Sequence, residues 1–340
     1  MAKETSHTQL TSRELRNLAP LELTNYREDR FRGDSNRSHL LEYHVTDKEI
    51  LLRIYQILQS VFEEMLQGHH DHTHICQVLT DHAPQRDLIT EDTRRLGIAT
   101  LEANQNHRLA QVIHDVRGGA LQSLLIRWEM FTVLPDRTTG LSAVFFLLRD
   151  HLKIMRNCVA DLDPMRFTAD AARKDHGTDL LLEKWTNADF YGSNIPAHID
   201  FDCTYEGTLC ESCLEFSTLD RIIYNLLNNA ARNANDRVVQ FHILPIPTQE
   251  TVENLRFVIA NQVSSEHAMR LKAALPDLGQ LFGSGFTTGG HGVGMSIVAD
   301  FCTQAFGIYD DGKAREDRYY GAQWIDDNFV AWFHWPVAGA

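Results

Sequence analysis

The chain has 340 residues, 43% of them hydrophobic, which is enough for two or three compact domains. Its formal net charge of -14 argues against a surface that neutralises nucleic-acid phosphates or sits on anionic lipid, so neither nucleic acid nor membrane is an expected partner. No apolar run reaches the roughly 18 residues of a membrane span, and Met1 to Arg13 is polar without an apolar signal core, which together predict a cytoplasmic protein.

Six cysteines (Cys76, Cys158, Cys203, Cys210, Cys213 and Cys302) are scattered without a disulfide framework, as suits a reducing compartment. Only Cys210 and Cys213 have C-x2-C spacing, and with no second pair they read as ordinary thiols.

In chain order, residues 1 to about 44 are polar and rich in Arg, Asp, Asn and Ser, and read as a mobile arm or a loosely packed start. Thr46-Asp47-Lys48-Glu49 has the form of a capping box. Ile50, Leu51, Ile54, Leu58, Val61 and Met65 follow at helical spacing, predicting a helix over about 47 to 66. The tract from His69 to His74 holds four imidazoles. It reads first as a solvated helix end, with a metal site as the alternative.

From about 90 to 133 a long helical pattern carries Leu109, Val112, Ile113, Val116, Ala120, Leu124 and Phe131 on one stripe, ended by the Pro135 to Gly140 turn. Leu141, Phe145, Leu148, Leu152, Met155, Val159 and Leu162 then alternate in steps of four and three, a coiled-coil seam. Two such helices joined by a short turn predict an antiparallel hairpin, and one hairpin is too narrow to hide both seams. The economical solution is a homodimer whose hairpins form a four-helix bundle. Beyond Pro164 the period changes. Val238 to Leu244, Leu255 to Ala260 and Phe329 to Trp335 are β-rich, while 218 to 235 and about 293 to 306 are helical, predicting an α/β domain with a mixed sheet. The expected fold class is therefore α+β. Its expected domains are an N-terminal helical region (1–90), a hairpin (91–165) and an α/β sandwich (166–340).

Three segments carry chemistry. In His114-Asp115-Val116-Arg117-Gly118-Gly119 the histidine falls at the edge of the apolar stripe, where solvent can reach it. An imidazole with one unprotonated nitrogen is a nucleophile toward phosphorus, and the adjacent Asp115 can orient or accept the proton on the other nitrogen. Gly118 and Gly119 each cost about 1 kcal/mol relative to Ala inside a helix. Either they clear space for a bulky partner beside His114, or they kink the helix. In the second segment, Leu219 to Ala231, an apolar face leaves Asn225 and Asn229 aligned one turn apart, with Ser217 as a candidate cap. Two amide oxygens so placed suit hydrated Mg2+, a hard ion that bridges nucleotide phosphates. The third, Gly283 to Val298, is a glycine-rich turn leading into a helix, a phosphate cradle in which the backbone approaches the anion and the helix N-terminus faces it.

In this order the three segments resemble the H-box, N-box and G2-box of two-component histidine kinases, whose ATP-binding domain has the Bergerat fold shared with gyrase, Hsp90 and MutL. The resemblance covers roughly residues 95 to 336 and is tightest over 217–231 and 283–301. It implies that His114 accepts a phosphoryl group with Asp115 as general base, and that Asn225 and Asn229 bind ATP and Mg2+, Asn229 as the metal ligand. It also implies that Thr288, Gly290, Gly292 and Gly294 contact the phosphates, and that the partner is a response-regulator receiver domain. Three departures stand out. The family's adenine-reading Asp-x-Gly-x-Gly turn is replaced by Asn261-Gln262-Val263-Ser264-Ser265, where Asn261 offers only a neutral acceptor. Only 21 residues, from Gln262 to Phe282, are left for an ATP lid. Gly118 stands four residues after His114, where many relatives carry an Asn or Thr that positions water, which argues against phosphatase activity by that route.

Overall fold

The computed structural model describes residues 9–337 except 21, 29, 30, 32–36, 69, 70, 105, 134–139, 194, 249, 250 and 284–293. The chain divides into two compact units, one of residues 33–172 and the other of residues 1–32 with 173–340.

After a short α1 (Ser12–Asn17), the helical unit runs α2 (Val45–Gln67), α3 (His72–Asp81), α4 (Ala83–Arg95), α5 (Ile98–Ala103), α6 (His107–Arg117), α7 (Gly119–Val133), α8 (Leu141–Cys158) and α9 (Pro164–Ala171). The predicted α2 forms, although its cap is the His44 ring, which accepts from Thr46 N–H, and not the expected Thr46 box. Asp47, freed from that box, is buried and accepts from Gly97 N, Thr100 N and Thr100 Oγ1, fixing the start of α5 against α2.

The continuous helix expected over 90–133 is broken into pieces. Gly97 adopts φ +87°, and a Cβ there would lie 2.5 Å from the Ile113 side chain, so this turn needs glycine. Asn106 begins α6 by accepting from Arg108 N–H at 2.9 Å. Gly118 separates α6 from α7. The hairpin of α6 and α7 against α8 does form, and α2, α3 and α4 pack over it within the same chain. Leu141, Leu148, Leu152, Met155, Val159 and Leu162 are buried, and half-buried Phe145 meets the Phe62 ring at 5.2 Å. The premise that a second copy is needed to hide the seam therefore fails. Homodimerisation is left resting on the resemblance alone.

The second unit holds β1 (Arg173–Gly177), α10 (Asp179–Trp185), β2 (Asp189–Phe190), β3 (Ala197–Cys203), β4 (Thr208–Ser212), α11 (Cys213–Asn233), β5 (Val238–Thr248), β6 (Thr251–Gln262), α12 (Ser265–Ala274), α13 (Gly294–Ala305), α14 (Asp311–Glu316), β7 (Tyr320–Ile325) and β8 (Asn328–Pro336). Six strands form a mixed sheet in the order β2-β3-β5-β6-β8-β7, with β3 and β5 parallel, and β1 pairs with β4 in a separate ribbon. Alternation along β5, β6 and β8 sends Phe241, Phe257 and Phe333 to the face covered by α11, and Val258, Ala260, Val330 and Trp332 to the other.

That second face is covered by the segment expected to be mobile. Leu10, Leu15, Leu18 and Ala19 pack on Val258, Ala260, Val330 and Trp332. Their apolar stripe is too short to stand out in a polar stretch. The fully buried Arg256 holds them in place: Nη1 donates to the carbonyls of Leu15 (3.0 Å) and Arg16 (2.7 Å), and Nη2 to those of Ala19 (2.9 Å) and Pro20 (2.8 Å). These are carbonyls at and just beyond the end of α1, which lack helical partners. Arg256 Nε donates to His334 Nε2 at 2.9 Å, while His334 Nδ1 donates to the Tyr319 carbonyl at 2.8 Å, so the ring is neutral with its proton on Nδ1. Burial and then the charge of Arg256 push the His334 pKa down to about 3.

Two outcomes follow for this unit. Arg256→Met strands the four carbonyls and should lower stability by about 3 kcal/mol in urea unfolding, with faster amide exchange over Leu10–Ala19; unchanged exchange there would contradict the clasp. The unfolded chain protonates His334 near 6.5 and the folded chain near 3. Between those values the unfolded state binds more protons, so stability falls as pH is lowered through this window. His334→Gln, which keeps an acceptor for Arg256, should flatten that slope relative to wild type.

Candidate functional site

His114 lies in the last turn of α6, three residues before its end, and not in mid-helix as expected. Its neighbours Leu109, Val112, Ile113 and Val116 are buried, which turns one edge of the imidazole inward. The side chain keeps 20% of its exposure, yet Nδ1 is buried without a hydrogen-bond partner. Asp115 Oδ1 stands 3.5 Å from that nitrogen, and the Asp115 side chain is only 2% exposed. At this distance the pair interacts by charge, short of a hydrogen bond. Nε2 is consequently the nitrogen presented outward.

Gly118 decides how α6 ends. Its backbone leaves the helix at ψ -161°, its N–H bonds to the Asp115 carbonyl at 3.2 Å, and a Cβ would stand 2.8 Å from the His114 carbonyl oxygen. The kink anticipated as one reading of Gly118-Gly119 is therefore present, immediately beyond His114. One structural residue here escaped the sequence reading. His151 on α8 is fully buried with neither ring nitrogen hydrogen-bonded, and it feels the charge of Asp115. A histidine inside a run of seam positions was the available signal.

In the sheet unit α11 begins at Cys213, earlier than expected. Ser212, not Ser217, caps it by accepting from Glu215 N–H at 3.2 Å, because Leu214 and Phe216 continue the buried face. Asp220 on the same helix accepts from Lys184 Nζ at 2.7 Å in a buried pair whose cation also lies 5.4 Å from the Phe216 ring and 5.5 Å from the Tyr224 ring.

Asn225 is 8% exposed, and its Nδ2 donates to the Arg221 carbonyl at 2.9 Å, which turns Oδ1 away from its own helix. Asn229, one turn on, is half-buried. Asn261 lies at the end of β6 on the sheet face that carries α11, is 2% exposed, and directs Nδ2 at the Gln262 carbonyl at 3.4 Å. Gly294 is the first residue of α13 and is half-buried. α13 packs along α11, with the Arg221 guanidinium 4.2 Å from the Phe301 ring centroid. Thus Asn225, Asn229, Asn261 and Gly294 belong to elements gathered on one side of the sheet. Thr288, Gly290 and Gly292 lie outside the described residues.

The expected lid carries α12 and a 3-10 turn at Leu278–Phe282. In the histidine tract, His74 Nε2 donates to the Glu64 carbonyl near the end of α2 at 2.9 Å; beyond the tract, at the end of α3, His82 Nε2 donates to the Glu64 carboxylate at 2.8 Å. His69 and His70 are outside the described residues. Among the described residues no cluster of three His, Cys, Asp or Glu side chains is arranged to hold a metal ion, all six cysteines are free thiols, and no helix is long and apolar enough to cross a membrane.

No family model and no curated protein matches the chain. Among solved structures it is similar to a mycobacterial sensor histidine kinase, MprB (14% identity over 49% of this chain and 98% of that one, TM-score 0.29). It is also similar to full-length ShkA in complex with AMPPNP (15% identity, 70% of this chain and 46% of that one, TM-score 0.32). A third is the Acinetobacter baumannii histidine kinase AdeS (12% identity, 68% and 98%, TM-score 0.26). Similarity at this level assigns no role to any residue.

The geometry around Gly118 has a direct consequence. Gly118→Ala forces its Cβ against the His114 carbonyl, and should cost about 2 kcal/mol in thermal or urea unfolding while moving the His114 imidazole resonances. Unchanged stability together with unchanged resonances would remove Gly118 from the support of His114.

Proposed function

We propose that this chain is a phosphoryl carrier of the histidine-kinase type. On this reading His114 accepts the γ-phosphoryl group of Mg-ATP bound in the sheet unit and yields it to an aspartate of a response-regulator receiver domain. The observation that carries the reading is the His114 ring itself, with Nδ1 buried beside a buried carboxylate and the opposite edge presented outward.

In the neutral Nδ1–H tautomer the Nε2 lone pair forms the N–P bond as the P–O bond to ADP breaks. Asp115 takes up or stabilises the Nδ1 proton that becomes acidic in the phosphorylated ring. The 3.5 Å contact is one that shortens as the ring gains positive charge. In the second transfer a carboxylate oxygen of the partner attacks phosphorus, the N–P bond breaks, and the neutral imidazole returns. Both steps depend mainly on positioning and charge.

The amides of α11 fit Mg-ATP in their chemistry: Asn225 and Asn229 bring oxygen donors to one face of the helix, with Asn229 as the metal ligand, and Asn261 has an amide oxygen to offer the adenine amine. Bound Mg2+ would neutralise phosphate charge during transfer. Gly294, with Thr288, Gly290 and Gly292, would supply the backbone contacts to the phosphates.

A second reading, a histidine phosphotransferase that relays the group without using ATP, is favoured by one observation. Asn261 is neutral and nearly buried at the position where the family uses a carboxylate. Incubation of the full chain with γ-labelled ATP and Mg2+ separates the two. The kinase predicts acid-labile, base-stable label that is lost in His114→Ala and falls at least roughly ten-fold in Asn229→Ala. No label and no ATP binding by calorimetry, with His114 labelled from a phosphorylated receiver domain, would establish the relay.

A further inference from the structure

We propose that Arg27 is a positioning residue for the nucleotide site, acting by fixing the register of α13 along α11; the proposal rests on the reading of the sheet unit as the binder of Mg-ATP. Arg27 touches both helices at one end of their packed pair. Its Nη1 donates to Glu215 Oε1 at 3.1 Å in the first turn of α11, where the Glu215 side chain is only 2% exposed. Glu215 Oε2 accepts from Glu211 N–H at 2.7 Å, just ahead of the helix. With so little solvent to stabilise its charge, this carboxylate depends on the guanidinium of Arg27. On the other side, Tyr26 N–H donates to the Phe306 carbonyl at 2.9 Å, taking up a carbonyl just past the end of α13 that lacks a helical partner. Gly307, at φ +66°, makes room for the segment to pass: a Cβ there would stand 2.8 Å from Arg27 N and 2.9 Å from Arg27 Cα.

The same contacts fix how the pair runs. At Arg27 the start of α11 meets the end of α13, and further in the Arg221 guanidinium lies 4.2 Å from the Phe301 ring centroid, so the two helices are antiparallel. Carried about two turns further along each helix, this register brings Asn228 and Asn229 level with Gly294, the first residue of α13. The latch at Arg27 and the groups assigned to metal and phosphate therefore lie at opposite ends of one helix pair. Packed helices slide as units, so a shift at the latched end changes the spacing of Asn229 and Gly294 at the other. The segment carrying Arg27 is itself anchored: Thr24 N–H donates to the Tyr319 hydroxyl at 3.0 Å, and that hydroxyl donates to the Thr24 carbonyl at 2.8 Å.

The test measures Mg-AMPPNP binding by calorimetry to the full chain as wild type, Arg27→Gln, Arg27→Lys, and Arg27→Gln combined with Glu215→Gln. At a temperature where all four are folded, Arg27→Gln should bind at least roughly ten-fold more weakly, and lysine, which keeps the charge, should recover to within roughly three-fold of wild type. The double variant no longer strands a carboxylate, so it should melt closer to wild type than Arg27→Gln does and yet bind as weakly. Wild-type affinity in Arg27→Gln would overturn the proposal, as would a lysine variant that binds no better than glutamine. Recovery of affinity in the double variant would also overturn it, since Arg27 would then serve stability alone. If wild type binds no Mg-AMPPNP, the nucleotide reading fails instead. The latch is then decided by the side-chain amide resonances of Asn225 and Asn229 in the ligand-free chain, which Arg27→Gln should move and Arg27→Lys should leave in place; resonances unmoved by glutamine would overturn it.

Discussion

The functional account depends on one constraint, the burial of the Nδ1 edge of His114 beside Asp115. A histidine free on a helix surface presents two nitrogens to any electrophile. Here the helix carrying it ends at Gly118, its apolar neighbours are drawn into the bundle, and a nearly buried carboxylate stands beside the inward nitrogen. The remaining edge is the one left for an electrophile in the proposed reading. Much of the helical unit serves that arrangement: Asp47 ties α5 to α2, the Gly97 turn closes on Ile113, and α2, α3 and α4 cover the hairpin that holds the motif. A bundle that buries its own seam also needs no second chain to complete its core.

The sheet unit is closed in a comparable way by a different device. One face of its sheet is covered by Leu10, Leu15, Leu18 and Ala19, and that cover depends on a single buried guanidinium that gathers four carbonyls while its Nε donates to a neutral histidine. The helix-bearing face is the one that carries the residues of the proposed nucleotide site. There the asparagines of α11, the end of β6 and the start of α13 come to one side of the sheet. Charge-assisted donation from Arg256 is stronger than neutral hydrogen bonding, which is why so short an apolar stripe can stay docked.

The sequence was most legible where periodicity is long and local. α2, α8, α11, α13 and the strands β5, β6 and β8 all lie where the apolar spacing indicates, since each buries a whole face against a neighbour. It was least legible where distant groups decide. The packing of Leu10 to Ala19 depends on Arg256, some 240 positions away, and no local pattern announces it. Similarly, Thr46 and Ser217 have the residue types of caps, but His44 and Ser212 do the capping, because tertiary packing extends both helices. The hairpin seam is hidden within the chain because α2, α3 and α4, which precede it, pack over it, a contact that the spacing of the hairpin residues does not announce. His114, Asp115, Asn225 and Asn229 are proposed from residue type and spacing, and what the structure adds is their surroundings: a buried Nδ1 beside Asp115, and two asparagines one turn apart on α11.

The most direct test of the central claim is which nitrogen of His114 carries phosphorus. Full-length protein labelled with 15N at histidine and phosphorylated with phosphoramidate can be read by 31P–15N coupling. The buried Nδ1 predicts a single Nε2-phosphohistidine at His114. Phosphorus on Nδ1, or on a different histidine, would contradict the account.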